Sequence, residues 1–265
     1  MTTAFVLGGG GLLGAVEVGM LKALLEAGIK PDLVVGSSVG ALNGAAIAGD
    51  PSLETVELLT QLWEALGRDK VFTGSRLTTL ARSRTHLHGN EGLRALLADR
   101  AEGVLIEDLP VRFQCVAACI ETAGAHWFTS GPVVDAVLAS CSVPGLLPPV
   151  RIGDRHYLDG GLVHSIPVGR ALALGATSVY VLQVGRIERQ LTVPRWPWEV
   201  GTVAFEIARR HRFTEEMAAL PESLDVHVLP SGAAVGTTNV RYRDTSRVRS
   251  RIQSAYDASA AYLHG

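Results

Sequence analysis

The stretch DLVVGSSVGALNGAAIAG, Asp32 to Gly49, decides how the chain is built. Asp32 to Val35 is short and apolar, as a strand buried on both faces would be, and it runs straight into Gly36-Ser37-Ser38-Val39-Gly40. The small residues ALNGAAIAG that follow suit a helix packed tightly against a sheet. Strand, sharp turn and helix with Gly-x-Ser-x-Gly at the junction form a nucleophile elbow, which would expose the Ser38 hydroxyl at the carboxyl edge of a sheet. Gly36 and Gly40 relieve the crowding that such a turn creates.

The same construction occurs once before. Thr3 to Leu7 reads as a buried strand, and VLGGGGLLGAVEVG (Val6 to Gly19) passes through four consecutive glycines into a helix over Gly11 to Ala27, stopped by Gly28. Bare N–H groups at such a turn can hold a phosphate or a developing oxyanion. Gly9-x-Gly11-x-x-Gly14 satisfies the dinucleotide fingerprint, but that motif needs an acid at the carboxyl end of the second strand to bind the ribose. Asp32 lies at the opposite end, and Gly36-Ser37-Ser38 occupies the required place. A P-loop is excluded because no Lys-Ser/Thr pair follows the last glycine.

Beyond the elbow, SLETVELLTQLWEALG, RLTTLARSR and NEGLRALLADR read as helices, with Asn90 as N-cap of the last. VRFQCVAACI and HWFTS suggest a hairpin, PVVDAVLASCS a helix halted by VPGLLPPV, and RIGDRHYLDGG two short strands around a Gly153-Asp154 turn. PVGRALALGA, SVYVLQVG, a long helix from about Glu199 to Leu220, DVHVLP and a final helix near Ser246 to Leu263 complete the alternation. The expected fold is α/β, with a largely parallel sheet, in a single domain spanning residues 1–265.

Composition narrows the partners. A net charge of -2 over 265 residues offers no general basic field, so nucleic acid is not expected to bind. The local cluster Arg241, Arg243, Arg247, Arg249 and Arg251 reads as a solvated helix start or as a contact for anionic headgroups. Cys115, Cys119 and Cys141 have no metal-ligand or disulfide spacing and read as buried packing residues in a reducing compartment. No leader or membrane-spanning run is evident, so a cytoplasmic location is expected, with peripheral membrane contact at most.

A serine nucleophile needs a base and oxyanion donors. An ordinary α/β-hydrolase supplies Asp and His after several strands, whereas only one strand precedes this elbow. His227 reads as a sheet residue, His264 as terminal, and His86 and His88 as turn residues; His156 and His164 stay in reserve. Asp159, followed by Gly160 and Gly161 at the end of a strand, is the other candidate, because its carboxylate could approach Ser38 without bulky neighbours.

GGGGLLG near the start, GSSVG some thirty residues on, and DGG well downstream together resemble the patatin-like phospholipase family. LASCSVPGLLPPV and IPVGRALALGA extend the resemblance, which runs in order over about residues 4 to 185. The resemblance implies a three-layer α/β/α sandwich and a Ser38/Asp159 dyad. It also implies oxyanion donors from Gly9, Gly10 and Gly11, and no metal or organic cofactor. The implied reaction is hydrolysis of carboxylic esters of lipids, of phospholipase A or lysophospholipase type. Acyl transfer by the same dyad, or lipid binding without catalysis, are the alternatives. Two departures stand out: Leu13 replaces the family's Arg or Lys after the glycines, and His164-Ser165 stands where its Asn follows DGG. The tryptophans of RWPWEV read either as core anchors or as groups for a lipid interface. Oligomeric state leaves no trace in the sequence.

Overall fold

The computed structural model describes residues 1–68, 85–184, 190–221, 224–232 and 248–265. The RLTTLARSR segment and Arg241, Arg243 and Arg247 lie outside the described residues. Among the described residues eight strands form one sheet: β1 (Thr3–Leu7), β2 (Leu33–Ser37), β3 (Arg112–Cys119), β4 (Gly124–Phe128), β5 (Val150–Ile152), β6 (Arg155–Leu158), β7 (Ser178–Leu182) and β8 (Asp225–Val228). Helices α1 (Ala15–Glu26), α2 (Val39–Gly49), α3 (Leu53–Arg68), α4 (Glu91–Ala101), α5 (Val133–Ser140), α6 (Val168–Ala173), α7 (Pro197–Ala218) and α8 (Val248–His264) connect or follow them. Asn90 precedes α4 as expected, but its side chain makes no capping hydrogen bond.

Strands β3, β2, β1, β7 and β8 are parallel neighbours in that order. Their side chains alternate between two cores, which is why the central strands are apolar throughout rather than at every second residue. Phe5, Leu7, Val34 and Phe113 pack into a core with residues of α1, α2, α3, α4, α5 and α8. Ala4, Val6, Leu33, Val35, Val179 and Val181 face the other way, onto α6 and onto Phe213 and Met217 of α7. Helices therefore cover both faces, giving three α/β/α layers around a mixed, mainly parallel sheet.

The strand registers around β3 bring two strand ends together. β3 pairs along one edge with β4, from Cys115 opposite Phe128 to Cys119 opposite Gly124. Its other edge is shared: β2 pairs with it up to Ser37 opposite Val116, and β6 takes over at Leu158 opposite Ala118 and Tyr157 opposite Cys119. β2 runs parallel to β3 and β6 antiparallel, so the two strands run toward each other along one line. The residues that leave their ends, Ser38 and Asp159, meet in the gap.

Candidate active site

Ser38 has φ 54° and ψ -126°, a conformation rare outside glycine. Such strain costs on the order of 1–3 kcal/mol and persists only when the surroundings hold it. Here its N–H donates to Ser140 Oγ at 2.9 Å, and its carbonyl accepts from the Ala41 N–H at 2.8 Å. Ser140 Oγ in turn donates to the Val116 carbonyl at 2.7 Å, tying the elbow to β3. A Cβ on Gly40 would lie 2.3 Å from the Leu7 carbonyl oxygen, so glycine is what lets α2 start this close to β1.

The Ser38 hydroxyl donates to Asp159 Oδ2 at 2.6 Å. Both residues are only 3% exposed. The Gly161 N–H donates to Asp159 Oδ1 at 2.8 Å, fixing the carboxyl plane at the start of a short 3-10 turn, Gly160–Leu162. A Cβ on Gly160 would fall 2.2 Å from the Val116 carbonyl oxygen, so DGG is also a packing requirement. Burial pushes the Asp159 carboxyl up to about 6, partly offset by the hydrogen bonds from Ser38 and Gly161. At neutral pH it remains mostly ionised, yet it is a far better proton acceptor than an exposed aspartate.

The reserve histidines are engaged elsewhere. His156 Nδ1 lies 2.7 Å from Glu121 Oε1, and His164 Nδ1 lies 2.9 Å from Glu216 Oε1 on α7. His227 stacks on Tyr180 within the sheet, while His88 is buried in a bend. Among the described residues no three His, Cys, Asp or Glu side chains converge as metal ligands.

The glycine loop leaves β1 beside this pair. The Gly9 N–H is already spent, donating to the Ser165 carbonyl at 2.8 Å. The Gly10 and Gly11 N–H groups have no hydrogen-bond partner among the described residues. Of the three N–H groups expected from the resemblance as oxyanion donors, two are therefore uncommitted. Leu13, standing in place of a cation, packs half-buried against the main core, so apolar contact anchors the turn.

A buried polar chain that the sequence did not signal supports the loop from behind. Trp63 Nε1 donates to Asn43 Oδ1 at 2.9 Å. Because an indole N–H can only donate, the Asn43 amide is oriented, and its Nδ2 donates to Gly14 O at 3.0 Å and Glu17 Oε2 at 2.7 Å. Glu17 is fully buried, and loss of water holds its carboxyl well above the ordinary range. Elbow helix, glycine loop and α3 are thereby linked.

Cys115, Cys119 and Cys141 are buried as expected. Trp196, at the start of α7, is 56% exposed and so is not a core anchor, and the Trp198 side chain lies outside the described residues. Arg249 is exposed and pairs with Glu64. A surface groove of about 470 Å³ lined by Lys22, Val56 and Tyr256 involves neither Ser38 nor Asp159. No described helix is long and apolar enough to cross a membrane.

Comparison with known proteins adds a family. The model of the patatin-like phospholipase family matches residues 5–172. A patatin-like phospholipase domain-containing protein of Caenorhabditis elegans is 37% identical over 193 residues, covering 69% of this chain and 14% of that protein. A protein of Emericella nidulans named lysophospholipase is 35% identical over 191 residues, 69% of this chain and 12% of its own length. Patatin-like phospholipase domain-containing protein 7 of Rattus norvegicus is 32% identical over 192 residues, 71% and 14% respectively. This chain thus matches only a small part of these curated relatives. Among solved structures, VipD from Legionella pneumophila aligns over 99% of this chain and 66% of its own, with 13% identity and a TM-score of 0.47.

Proposed function

The chain belongs to the patatin-like phospholipase family, and from that premise we propose that it is a serine hydrolase of lipid carboxylic esters working through a Ser38/Asp159 dyad. The observation that carries the reading is the 2.6 Å hydrogen bond between the Ser38 hydroxyl and a buried Asp159 carboxyl raised to about 6. Asp159 takes the Ser38 proton as Oγ attacks the ester carbonyl. The Gly10 and Gly11 N–H groups stabilise the oxyanion, and the tetrahedral intermediate collapses to an acyl-enzyme as the alcohol or lysolipid leaves with a proton. Water deprotonated by Asp159 then releases the fatty acid. Relatives named lysophospholipase or phospholipase support an ester of a phospholipid or lysophospholipid as substrate.

Peripheral contact with a lipid surface fits this reading. Trp196, Val200 and Ile207 are all exposed, and their spacing sets them along one side of α7. The same helix touches the DGG turn, where a Cβ on Gly161 would lie 3.0 Å from the Phe205 ring. We propose a single catalytic domain at a cytoplasmic membrane surface. The direct test is labelling with a serine-directed fluorophosphonate, followed by incubation with phospholipids and lysophospholipids. Labelling of the wild type and not of Ser38→Ala, with fatty acid released only by the former, is expected. A wild type that neither labels nor releases fatty acid sinks the proposal.

A further inference from the structure

Gly9 is flanked by two serines. A Cβ built on it would lie 3.2 Å from Ser38 Cβ and 3.5 Å from Ser165 Oγ. Gly9 therefore passes closely between the nucleophilic residue on one side and a hydroxyl on the other, where a side chain would be crowded. Ser165 is 5% exposed, and its Oγ has no hydrogen-bond partner among the described residues. An unsatisfied buried hydroxyl destabilises the fold, so at a purely structural position alanine would serve better. Its backbone has a separate task, since the Ser165 carbonyl accepts the Gly9 N–H at 2.8 Å.

We infer that the Ser165 hydroxyl is a further oxyanion donor, acting with the Gly10 and Gly11 N–H groups beside Ser38. The inference rests on Ser38 being the nucleophile. When Ser38 Oγ bonds to the carbonyl carbon, its proton passes to Asp159 and the π pair of the C=O moves onto the oxygen. Ser165 keeps its proton throughout and only donates a hydrogen bond to that oxygen. A donor left without a partner in the resting site gains one as negative charge develops, which stabilises the transition state more than the bound ester. The occupied Gly9 N–H makes this contribution matter, because two backbone donors remain where the sequence suggests three.

Ser165→Ala separates the two tasks, since it removes the hydroxyl and keeps the carbonyl that holds Gly9. The wild type, Ser165→Ala and Ser165→Thr are compared in p-nitrophenyl ester turnover. The same three are titrated with an acyl trifluoromethyl ketone, which forms a tetrahedral adduct with a serine nucleophile. Loss of the hydroxyl should lower kcat about 10- to 100-fold with KM nearly unchanged. Ketone affinity should fall in step with kcat/KM, Ser165→Thr should restore most of both, and Ser165→Ala should melt no lower than the wild type. Equal kcat and equal ketone affinity in wild type and Ser165→Ala overturn the role of Ser165 alone. A clear fall in melting temperature assigns the hydroxyl a structural partner and also overturns it. A wild type that forms no ketone adduct overturns this inference together with the hydrolase reading.

Discussion

Ser140 Oγ accepts the Ser38 N–H at 2.9 Å, so a hydroxyl 102 residues away in sequence holds the strained elbow in place. Its own proton goes to the Val116 carbonyl, and every polar atom in that short chain is buried. Replacing Ser140 by alanine leaves an N–H and a carbonyl oxygen without partners in a dry interior. Urea denaturation of Ser140→Ala should show a loss of about 1–3 kcal/mol. Ester turnover should fall as Ser38 relaxes away from its observed conformation. Unchanged stability and turnover would show that the elbow is held by its glycines and helix alone.

Asp159 must be ionised to accept the Ser38 proton. With the carboxyl at about 6, kcat/KM should rise about tenfold per pH unit below that value and level off above it. The pH profile of p-nitrophenyl ester hydrolysis reads this directly. A rise centred near 4 would mean that water reaches the carboxyl in the working enzyme. Asp159→Asn should abolish the turnover and the inflection together.

The same raised carboxyl makes a prediction about stability, with a definite sign. Asp159 titrates near 3.9 in the unfolded chain and near 6 in the native one, so the native state binds the proton more tightly. Its favourable contribution is complete below about pH 4 and is lost as pH rises through about 6. Roughly two pKa units at about 1.4 kcal/mol each make this loss about 3 kcal/mol. Asp159→Asn has no such ionisation. Urea denaturation of both proteins from pH 4 to pH 8 should show the variant gaining on the wild type by about that amount. A difference that stays constant with pH contradicts the burial of an ionising carboxyl.

Trp63, Asn43 and Glu17 form a chain whose ends respond differently to conservative changes. Trp63→Phe removes the donor to Asn43 Oδ1, the only one among the described residues, and thermal or urea denaturation should register a loss of about 1–3 kcal/mol. Glu17→Gln should be milder, because burial already disfavours the charged form of the Glu17 carboxyl and glutamine preserves the acceptor for Asn43. Glu17→Gln proving more damaging than Trp63→Phe would mean that a charged Glu17 is part of the structure.

Much of the architecture was legible because its signals are local. The apolar strands, the glycine turns and the small residues of α2 each reflect backbone geometry within a few positions. Where the sequence left a choice open, the packing of the chain decided the outcome. Asn90 stands at a helix start but its side chain makes no capping bond, and of the two readings of Trp196, core or interface, its exposure leaves the second. The Gly9 N–H has the chemistry of an oxyanion donor. Its availability depends on whether Ser165, 156 positions later, brings a carbonyl to it.

By itself the sequence determined that Ser38 stands on an elbow, that Asp159 ends a strand beside two glycines, and that a glycine loop opens α1. These follow from steric rules that act between neighbours along the chain. Tertiary structure alone decided that β2 and β6 share one edge of β3 and run toward each other, bringing Ser38 and Asp159 within 2.6 Å across 121 residues of sequence. It also decided the basicity of Asp159 and the freedom of each loop N–H. Burial and hydrogen-bond partners are properties of the packed sheet and its layers, and no residue carries them alone.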